Sequence, residues 1–337
     1  MGKKVLVTGS SGFLGEKLVK ELISQGHQVL GLDTLEPLYS DINFRFTKGS
    51  AGDLSIVLNL LSGVEEVYHL AARVPLAARE GDFIESNVLS PGVVAKACRV
   101  MGVRSFLLVS SSAVYGLGRG FEFRESDQTK PFERYGSSKL AGEDAAIREL
   151  GPETKLVILR PRTILGPGRL GIFSTLFKWV KSDISIPVYG NDSYGLQFVG
   201  VDDMVDAMIL SQAKGEGIYN VGSKNYNTTR RELDNLISYG KSNSKTIKMP
   251  SVLVTVLSWA YRVKLSPFTP WHVQGYANSL TVNTDKICSL GWEPKESTES
   301  IILNNYTWFI SNKNFGGSPH QKKIDSIFLK LISVLLK

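Results

Sequence analysis

The sequence predicts an α/β fold in which a doubly wound parallel sheet is covered by helices on both faces, with a smaller C-terminal domain. Short apolar runs alternate with stretches of helical periodicity through the first half of the chain, as in repeated strand–helix–strand units. Polar and glycine-rich stretches follow the apolar runs, so they lie at the carboxyl ends of the strands, where such sheets bind ligands. We therefore assign residues 1–168 to the sheet domain, to which some later segments return, 169–310 mainly to the second domain, and 311–337 to a linker and tail.

The N-terminal segment has the pattern of a strand, a glycine-rich turn and a helix. The apolar run Val5–Val7 leads into the stretch TGSSGFLG, after which apolar residues recur at helical spacing. Here Gly9 permits a tight turn, Gly12 leaves room for a ligand, and Gly15 lets the helix pack on the strand. Backbone N–H groups and the helix dipole then point at a pyrophosphate. The residues predicted to bind a dinucleotide in this turn are Gly9, Ser11, Gly12, Phe13, Leu14 and Gly15.

The second apolar run, Val29–Leu32, ends in Asp33, which follows Gly15 by 18 residues. A carboxylate at the end of the second strand accepts a hydrogen bond from the ribose 2′-hydroxyl group and repels a 2′-phosphate. Thr34 and Leu35 offer no basic side chain for such a phosphate. The sequence therefore predicts NAD rather than NADP as the cofactor.

Further apolar runs and helical stretches predict the rest of the sheet and its covering helices, the shortest runs being typical of buried parallel strands. Strands are predicted at Phe44–Phe46, Phe106–Val109 and Leu156–Leu159, and Glu66–Ala72 is predicted as a strand that runs into a loop of small residues. The predicted helices cover about 83–101 and 135–149. Turns are predicted at Gly166–Gly168 and at Pro187–Gly190.

Composition and charge narrow the functional class. The chain has 337 residues and a formal net charge of +7, from 39 basic and 32 acidic residues. The basic residues form no stripe interleaved with aromatic ones, which favours anionic small ligands or an anionic surface over nucleic acid. Cys98 and Cys288 are far apart and lack partners at metal-binding spacing, so we expect reduced thiols and no metal site. The first strand begins within four residues, and no apolar run reaches the roughly 20 residues of a spanning helix, so we expect a cytoplasmic protein.

Tyr135 and Lys139 lie four residues apart near the start of a predicted helix, so their side chains share one face. An ammonium group beside a phenol favours the phenolate, which is the help that a tyrosine titrating near about 10 needs to act as a base. Ser110, Ser111 and Ser112 follow the preceding strand, where a hydroxyl group can hold a substrate oxygen. The same serines can instead cap or close a loop, and most tyrosine–lysine pairs at this spacing are solvated helix faces.

Together these residues resemble the extended short-chain dehydrogenase/reductase family, specifically its NAD-dependent epimerase/dehydratase branch, whose sheet is of the Rossmann type. The resemblance runs from Lys4 to about Phe309. The matching stretches, in chain order, are TGSSGFLG, GLD, AGDL, HLAA, SN, SSSAVYG, YGSSK, RP, VDDMVDA and LGWEP.

The resemblance implies a role for each matching residue. Ser111, or its close alternative Ser112, polarises the substrate. Tyr135 is the general acid and base, while Lys139 tunes it and binds the nicotinamide ribose. His69 is better interpreted as a core histidine than as a catalyst. The further cofactor contacts that the resemblance implies are Asp53, Leu54, Leu70, Ala71, Ala72 and Asn87.

Departures from the family pattern concern the substrate. Nucleotide-sugar epimerases usually carry Asn at the place of Thr163, and often an Arg for the nucleotide phosphates where Leu196 or Gln197 stands here. The stretch RPRTILGPG and the segment Pro267–Thr269 look more like the 3β-hydroxysteroid dehydrogenase branch. The substrate contacts that we expect are Arg73, Ser111, Ser112, Arg162, Thr163 and Arg169.

The resemblance implies a homodimeric enzyme that binds NAD and acts on a small molecule, here a nucleotide sugar. We expect an NAD-dependent epimerase or dehydratase that transiently oxidises a sugar hydroxyl group by hydride transfer to NAD. The alternative is an NAD-dependent oxidoreductase like the 3β-hydroxysteroid dehydrogenases, acting on a steroid or a lipid-linked alcohol.

The C-terminal tail is a separate feature. Residues Lys322–Lys337 place apolar side chains at helical spacing among four lysines. This basic amphipathic pattern predicts either a membrane-surface anchor or a helix that docks on its own domain or on a second subunit. The apolar segment Ser251–Val263 is too short to span a bilayer, although it has the length to lie on one or to pack against the fold.

Overall fold

The computed structural model describes residues 2–74, 83–118, 120–168, 173–188, 194–248 and 280–312. Its strands are β1 (Lys4–Thr8), β2 (Gln28–Asp33), β3 (Phe44–Lys48), β4 (Glu66–His69), β5 (Ser105–Val109), β6 (Glu122–Phe123), β7 (Lys155–Pro161), β8 (Thr163–Leu165), β9 (Ile186–Val188), β10 (Phe198–Gly200), β11 (Gly217–Val221), β12 (Thr246–Lys248) and β13 (Thr281–Val282).

Its helices are α1 (Phe13–Ser24), α2 (Leu54–Leu60), α3 (Ser90–Met101), α4 (Arg134–Leu150), α5 (Phe173–Lys181), α6 (Val201–Lys214), α7 (Thr229–Tyr239), α8 (Asp285–Cys288) and α9 (Thr298–Ser311). A π-helical turn, Ile84–Leu89, runs directly into α3, so the segment predicted as one helix has two geometries. A 3₁₀ turn, Ser112–Tyr115, follows β5.

A seven-stranded sheet forms the centre of the molecule, and its strands lie in the order β11–β7–β5–β4–β1–β2–β3. Every neighbouring pair is parallel. The order reverses between β1 and β4, which opens a crevice at the carboxyl ends of these two strands. The predicted doubly wound parallel sheet is confirmed.

Both faces of the sheet are buried, which explains the continuous apolar runs of its central strands. On β1, Val5 and Val7 enter one core together with α1 and α6, whereas Leu6 enters the core formed with α2, α3 and α4. Successive side chains of a strand point to opposite faces, so the three apolar residues serve two cores.

A second part of the chain packs around its own apolar core. Helices α5, α7 and α9 surround it, and Phe177, Leu236 and Tyr306 are among its buried side chains. Short parallel pairs, β8 with β10 and β9 with β12, form its small sheets. The prediction of a turn at Pro187–Gly190 was wrong for its first half, because Pro187 and Val188 belong to β9, where tertiary pairing with β12 overrides the turn signal.

The chain crosses between the two parts more than once. Strand β11 lies in the main sheet beside β7, although it follows the expected boundary at residue 168 by more than forty positions. The β6–β13 pair joins a segment from the first half of the chain to one close to its end. The division into residues 1–168, 169–310 and 311–337 stays a prediction.

Several expectations concern residues outside the described ranges. They are the contact of Arg169, the segments Ser251–Val263 and Pro267–Thr269, and the tail Lys322–Lys337. Within the described ranges, no helix has both the length and the apolar character needed to cross a membrane. The two cysteines are free thiols, and Cys98 is fully buried in the core.

Candidate active site

The turn between β1 and α1 is closed by two glycines that have no room for a side chain. Gly9 has a φ angle of +73°, and a Cβ atom there would lie 2.7 Å from the backbone nitrogen of Ala71. A Cβ atom on Gly15 would lie 2.0 Å from the carbonyl oxygen of Gly9. The backbone of the turn thus touches both α1 and the loop after β4. Gly12 supplies no side-chain cap to α1, and a helix N-terminus of this kind suits a pyrophosphate.

Asp33 ends β2, and two backbone donors hold its carboxylate beside this turn. Its Oδ2 atom accepts a hydrogen bond from the backbone nitrogen of Ser11 at 3.0 Å, and its Oδ1 atom accepts one from Leu35 at 3.0 Å. The side chain is only partly buried. A carboxylate has about four acceptor positions, so two are left for the hydroxyl groups of a ribose. The residues at this end of the sheet therefore fit a dinucleotide without a 2′-phosphate.

Asp53 and Leu54, the expected adenine contacts, lie where α2 begins. The Asp53 carboxylate caps that helix by accepting hydrogen bonds from the backbone nitrogens of Ser55 at 2.9 Å and Ile56 at 3.2 Å. The Ser55 hydroxyl group also donates to this carboxylate, at 2.7 Å. This bond has the largest effect in lowering the pKa of Asp53, and the two backbone hydrogen bonds act in the same direction. Asp53 is exposed, and its contact with adenine stays a prediction.

Leu70, Ala71 and Ala72 leave β4 along the glycine-rich turn. The backbone nitrogen of Leu70 donates to the carbonyl oxygen of Thr8 at 3.1 Å, and that of Ala71 donates to the Thr8 hydroxyl group at 3.4 Å. This loop lies at the switch point of the sheet, in the position expected for residues along a dinucleotide. Their contact with the cofactor stays a prediction.

His69 is confirmed as a core residue. Its Nδ1 atom lies 2.7 Å from the Thr8 hydroxyl group, and its Nε2 atom lies 3.3 Å from that of Ser90. Burial lowers the pKa of His69 to about 3, and the charge of Lys139 acts in the same direction. The ring is therefore neutral at physiological pH and serves to join β1, β4 and α3.

Asn87 positions the loop that follows Ala72. Its side chain is fully buried. The Oδ1 atom accepts a hydrogen bond from the backbone nitrogen of Arg73 at 2.8 Å. The Nδ2 atom donates to the carbonyl oxygen of Arg73 and to the Ser138 hydroxyl group, both at 3.0 Å. Asn87 thus fastens the backbone of Arg73 to α4, while the Arg73 side chain is exposed. These bonds leave the Asn87 amide little free capacity, and its predicted contact with the cofactor remains a prediction.

The first turn of α4 packs against the loop that carries Ser111. A Cβ atom on Gly136 would lie 2.5 Å from the carbonyl oxygen of Ala113, so the helix and the 3₁₀ turn approach without a side chain between them. Glu133 caps α4 by accepting from the backbone nitrogens of Tyr135 at 3.2 Å and Gly136 at 3.1 Å. The Ser111 hydroxyl group accepts from the backbone nitrogen of Ala113 at 3.2 Å and keeps its proton for another acceptor.

Lys139 lies one helical turn after Tyr135 and is almost completely buried. Its Nζ atom donates to the carbonyl oxygen of Val109, the last residue of β5, at 2.8 Å. Burial lowers the pKa of Lys139 to about 8, although the charge of Glu143 opposes this effect. The structure therefore anchors an ammonium group at the end of β5, one helical turn from Tyr135, with Ser111 two residues beyond Val109. This arrangement suits proton transfer at a hydroxyl group held by Ser111.

A buried ion pair lies behind this site. Arg160 on β7 donates from Nη2 and Nε to Glu143 on α4 at 2.6 and 3.0 Å, and both side chains are almost completely buried. The Ser110 hydroxyl group also donates to Glu143. Arg160 further donates to the hydroxyl group of Tyr115 at 3.0 Å, which in turn donates to Asn220 on β11 at 2.9 Å. Sequence reasoning recorded Arg160 only as part of a motif and missed this network.

Arg162 contacts the serine loop and interacts with Tyr226, which lines a cavity. Its Nη1 atom donates to the hydroxyl group of the buried Ser112 at 3.0 Å. Burial lowers the pKa of Arg162 to about 10, and its interaction with Tyr226 opposes this effect. The cavity has a volume of about 370 Å³, and its lining includes Tyr194, Tyr226 and Glu122. The Tyr226 hydroxyl group donates to Glu122 at 2.5 Å.

The positions that depart from the family pattern have structural roles. Thr163 begins β8 and is partly buried. Leu196 belongs to the core of the second part. The Gln197 amide nitrogen donates to the carbonyl oxygens of Ser223 and Val282, and its oxygen accepts from Val282 N at 2.8 Å. Neither Leu196 nor Gln197 thus takes the place of the missing arginine.

Comparison with known proteins assigns the family. A model of the NAD dependent epimerase/dehydratase family matches residues 5–222. The chain belongs to this family. The predicted resemblance is confirmed, as are the predictions of an enzyme and of NAD as its cofactor.

Three similar proteins illustrate the range of the family. The chain is 35% identical to a Sinorhizobium fredii protein named y4nG, over 99% of the chain and 87% of that protein. It is 29% identical to mouse dTDP-D-glucose 4,6-dehydratase, over 95% of the chain and 92% of that enzyme. Its fold is similar to that of a Thermotoga maritima UDP-glucose 4-epimerase solved with UDP-glucose, with a TM-score of 0.74, 23% identity, and coverage of 92% of the chain and 99% of that structure.

Proposed function

We propose that this enzyme epimerises a nucleotide sugar by transient oxidation of a ring hydroxyl group. The observation that carries the proposal is the buried Lys139, which is held on the Val109 carbonyl oxygen one helical turn from Tyr135. The similarity to a dTDP-D-glucose 4,6-dehydratase and, in fold, to a UDP-glucose 4-epimerase supports a nucleotide sugar as the substrate.

The residues of the site divide the chemistry between them. Ser111 holds the hydroxyl group that reacts, and Tyr135 accepts its proton. The positive charge of Lys139 stabilises the phenolate form of Tyr135 that accepts the proton. Bound NAD would supply reversible hydride transfer at the carbinol carbon. Tyr135 then returns the proton, so the cycle consumes no oxidant.

The serine loop favours epimerisation over dehydration. Loss of water next to a ketone needs a base for the C–H proton and an acid for the departing hydroxyl group. The residues after Ser111 are Ser112 and Ala113, which carry no carboxyl group, and the nearby carboxylate of Glu143 is held by Arg160. Epimerisation requires only that the ketone presents its other face before the hydride returns. Dehydration is the second candidate, because one relative is a dehydratase.

Product analysis with a panel of nucleotide sugars tests the proposal. The NAD-loaded protein is incubated with UDP- and dTDP-linked hexoses and hexuronic acids, and also with a 3β-hydroxysteroid. We expect a stereoisomer of one nucleotide sugar, detected by NMR, without an increase in NADH absorbance. A product lighter by one water would identify a dehydratase. Steady accumulation of NADH with the steroid would instead support the alternative oxidoreductase and overturn the proposal.

We also propose a cytoplasmic homodimer whose tail contacts a membrane surface. The sequence of Lys322–Lys337 supports the tail's role, since each lysine near an anionic surface contributes on the order of 1 kcal/mol. Co-sedimentation with anionic vesicles compares the full chain with a version that ends at Ser318. Pelleting of the full chain alone is the expected result, and equal behaviour of the two proteins contradicts it. Light scattering of both gives the oligomeric state.

A further inference from the structure

Arg162 is a cationic side chain that is bonded to the serine loop and has no acidic partner among the described residues. Its Nη1 atom donates to Ser112, and its buried Nε atom has no hydrogen-bond acceptor in the part of the chain that the structure describes. Arg160, two residues earlier on β7, is by contrast fully paired with Glu143. A cation taken out of water without a counter-charge is costly, so the environment of Arg162 suits an anion that arrives with the substrate.

The contact with Ser112 places this charge close to the reacting group. Ser112 directly follows Ser111, which holds the hydroxyl group that is oxidised under the proposed function. The Ser112 hydroxyl group accepts the hydrogen bond from Arg162, and its own proton has no acceptor among the described residues. A guanidinium group and a hydroxyl group together form a donor set that suits a carboxylate.

We infer that Arg162 and Ser112 bind a carboxylate group on the sugar ring, so that the substrate is a nucleotide-linked uronic acid. This inference rests on the proposed function and deepens it. In a hexuronic acid the carboxylate is attached to the ring carbon next to the one that bears the 4-hydroxyl group. The two adjacent serines therefore contact adjacent substituents of the ring. Ser111 binds the hydroxyl group, and Ser112 binds the carboxylate together with Arg162.

The substrate diphosphate is the other anion that an arginine can bind, and the geometry favours the carboxylate. The diphosphate is attached at the anomeric carbon, across the ring from the 4-hydroxyl group. A side chain bonded to the residue after Ser111 therefore lies at the carboxylate end of the sugar. Tyr226, which interacts with the charge of Arg162, also lines a cavity of about 370 Å³.

Binding measurements separate the two anions. The experiment uses NAD-loaded protein carrying Tyr135→Phe, which binds substrate without turnover. Calorimetric titrations measure its affinity for a nucleoside diphosphate, for the glucose ester of that diphosphate and for its glucuronic acid ester. Uridine and thymidine diphosphates are both tested. Arg162→Gln is added to this background, with Arg162→Lys as the conservative variant and Arg124→Gln as a control. Arg124 is an exposed arginine on the loop after β6, so its replacement changes the net charge equally.

We expect Arg162→Gln to weaken binding of the glucuronic acid ester by about 10- to 100-fold, the usual loss for a hydrogen-bonded charge pair. The same variant is expected to change the binding of the glucose ester and of the free diphosphate less than about twofold. Arg162→Lys should recover part of the affinity for the glucuronic acid ester, and Arg124→Gln should leave that affinity unchanged. Equal weakening of all three ligands would assign Arg162 to the diphosphate and overturn the inference. An unchanged affinity of Arg162→Gln for the glucuronic acid ester would overturn it as well. Thermal melting serves as the control that each variant is folded.

The proposed function fails in a different way. If the unmodified enzyme turns over nucleotide sugars with an uncharged sugar ring but not nucleotide-linked uronic acids, the proposed function holds and the inference is wrong. Absence of binding and turnover for both kinds of nucleotide sugar, with intact NAD binding, removes both. Turnover of the uronic acid with kcat/KM lowered only for that substrate by Arg162→Gln supports both.

Discussion

At the scale of single residues, Lys139 has the most unusual environment of the site. It is a lysine with almost no exposed surface, and its Nζ atom has a backbone carbonyl oxygen as its hydrogen-bond acceptor. Burial disfavours its charged form, whereas under the proposed function the phenolate of Tyr135 needs that charge nearby. The protein thus accepts a loss of stability in order to place a cation behind the tyrosine.

The stability of the NAD-free protein is expected to reflect the lowered pKa of Lys139. This pKa is about 8 in the folded protein and has an ordinary value of 10.5, so between these two pH values the unfolded chain holds more protons on this residue. The contribution of Lys139 to the free energy of unfolding therefore rises with pH across this window. Below about pH 8 the buried lysine is charged, and its destabilising effect is at its full value. Urea unfolding is expected to show Lys139→Met more stable than the unmodified protein at pH 7, with a smaller difference near pH 10. The same variant is expected to bind NAD more weakly; a stability difference independent of pH would contradict this account.

Replacing Tyr135 by Phe removes the hydroxyl group of the proposed proton carrier. We expect turnover to fall by roughly 10²- to 10⁴-fold, the usual contribution of a general acid and base. NAD affinity and melting temperature are expected to stay unchanged, because α4 keeps its cap at Glu133 and its contact at Gly136. Fluorescence titration with NAD and stopped-flow assays measure the two effects. Turnover near that of the unmodified enzyme would exclude Tyr135 from proton transfer.

At the scale of elements, the glycine-rich turn fixes how α1, β1 and the loop after β4 approach one another. Gly15 touches the carbonyl oxygen of Gly9, and Gly9 touches the backbone of Ala71. The helix N-terminus is thereby brought to the switch point of the sheet, where its N–H groups can meet a pyrophosphate. The carboxylate of Asp33 is bonded to the same turn through Ser11.

A methyl group on Gly15 is expected to disturb this arrangement. In Gly15→Ala the Cβ atom would lie 2.0 Å from the carbonyl oxygen of Gly9, so backbone must move and α1 must shift from the strand. We expect NAD affinity to fall at least tenfold, equivalent to about 1.4 kcal/mol, together with a lower melting temperature. Gly26→Ala is the control for the steric effect, since Gly26, just after α1, has a positive φ angle but no atom within 4 Å of its Cβ position. The control should lose some stability and no NAD affinity; equal losses of affinity would refute the steric explanation.

At the scale of the whole molecule, a chain of buried polar groups connects the main sheet with the β6–β13 pair. It runs from Glu143 through Arg160 and Tyr115 to Asn220, whose side chain also donates to the carbonyl oxygen of Phe123. Phe123 belongs to β6, which pairs with β13 from near the end of the described chain. The Glu143–Arg160 ion pair of this network links α4, which carries Tyr135 and Lys139, to β7.

Breaking the ion pair on one side is expected to be far more costly than removing both charges. Glu143→Ala leaves the buried Arg160 without its counter-charge, so we expect a loss of about 3–5 kcal/mol in the free energy of unfolding. The double variant Glu143→Met with Arg160→Met is expected to recover much of this loss. Glu149→Ala is the control on the same helix, since its ion pair with Arg148 is largely exposed and contributes at most about 1 kcal/mol. Urea unfolding of the four proteins checks the order, and a double variant less stable than Glu143→Ala would contradict it.

The sequence by itself determined the features that depend on neighbours along the chain. The apolar periods of β1 and α1, the glycines at positions 9 and 15, and the spacing of Tyr135 and Lys139 are all local, because helix and strand geometry brings residues a few positions apart to one face. These features are sufficient to predict the doubly wound sheet, the NAD turn and the catalytic residues. Local signals failed where pairing with a distant strand prevailed, as at Pro187 and Val188 in β9.

The tertiary structure decided which polar groups meet across the fold. Arg162 and Ser112 are 50 residues apart, Asn87 and Ser138 are 51 apart, and Tyr115 and Asn220 are 105 apart. No periodicity records such pairs, since they depend on the strand order of the sheet and on the path of the chain between its two parts. Burial then decides their importance, because a charge or amide removed from water must find its partner within the protein or in a ligand. For this reason the cofactor could be predicted from the sequence, whereas the environment of Arg162, on which the proposed substrate depends, is visible only in the fold.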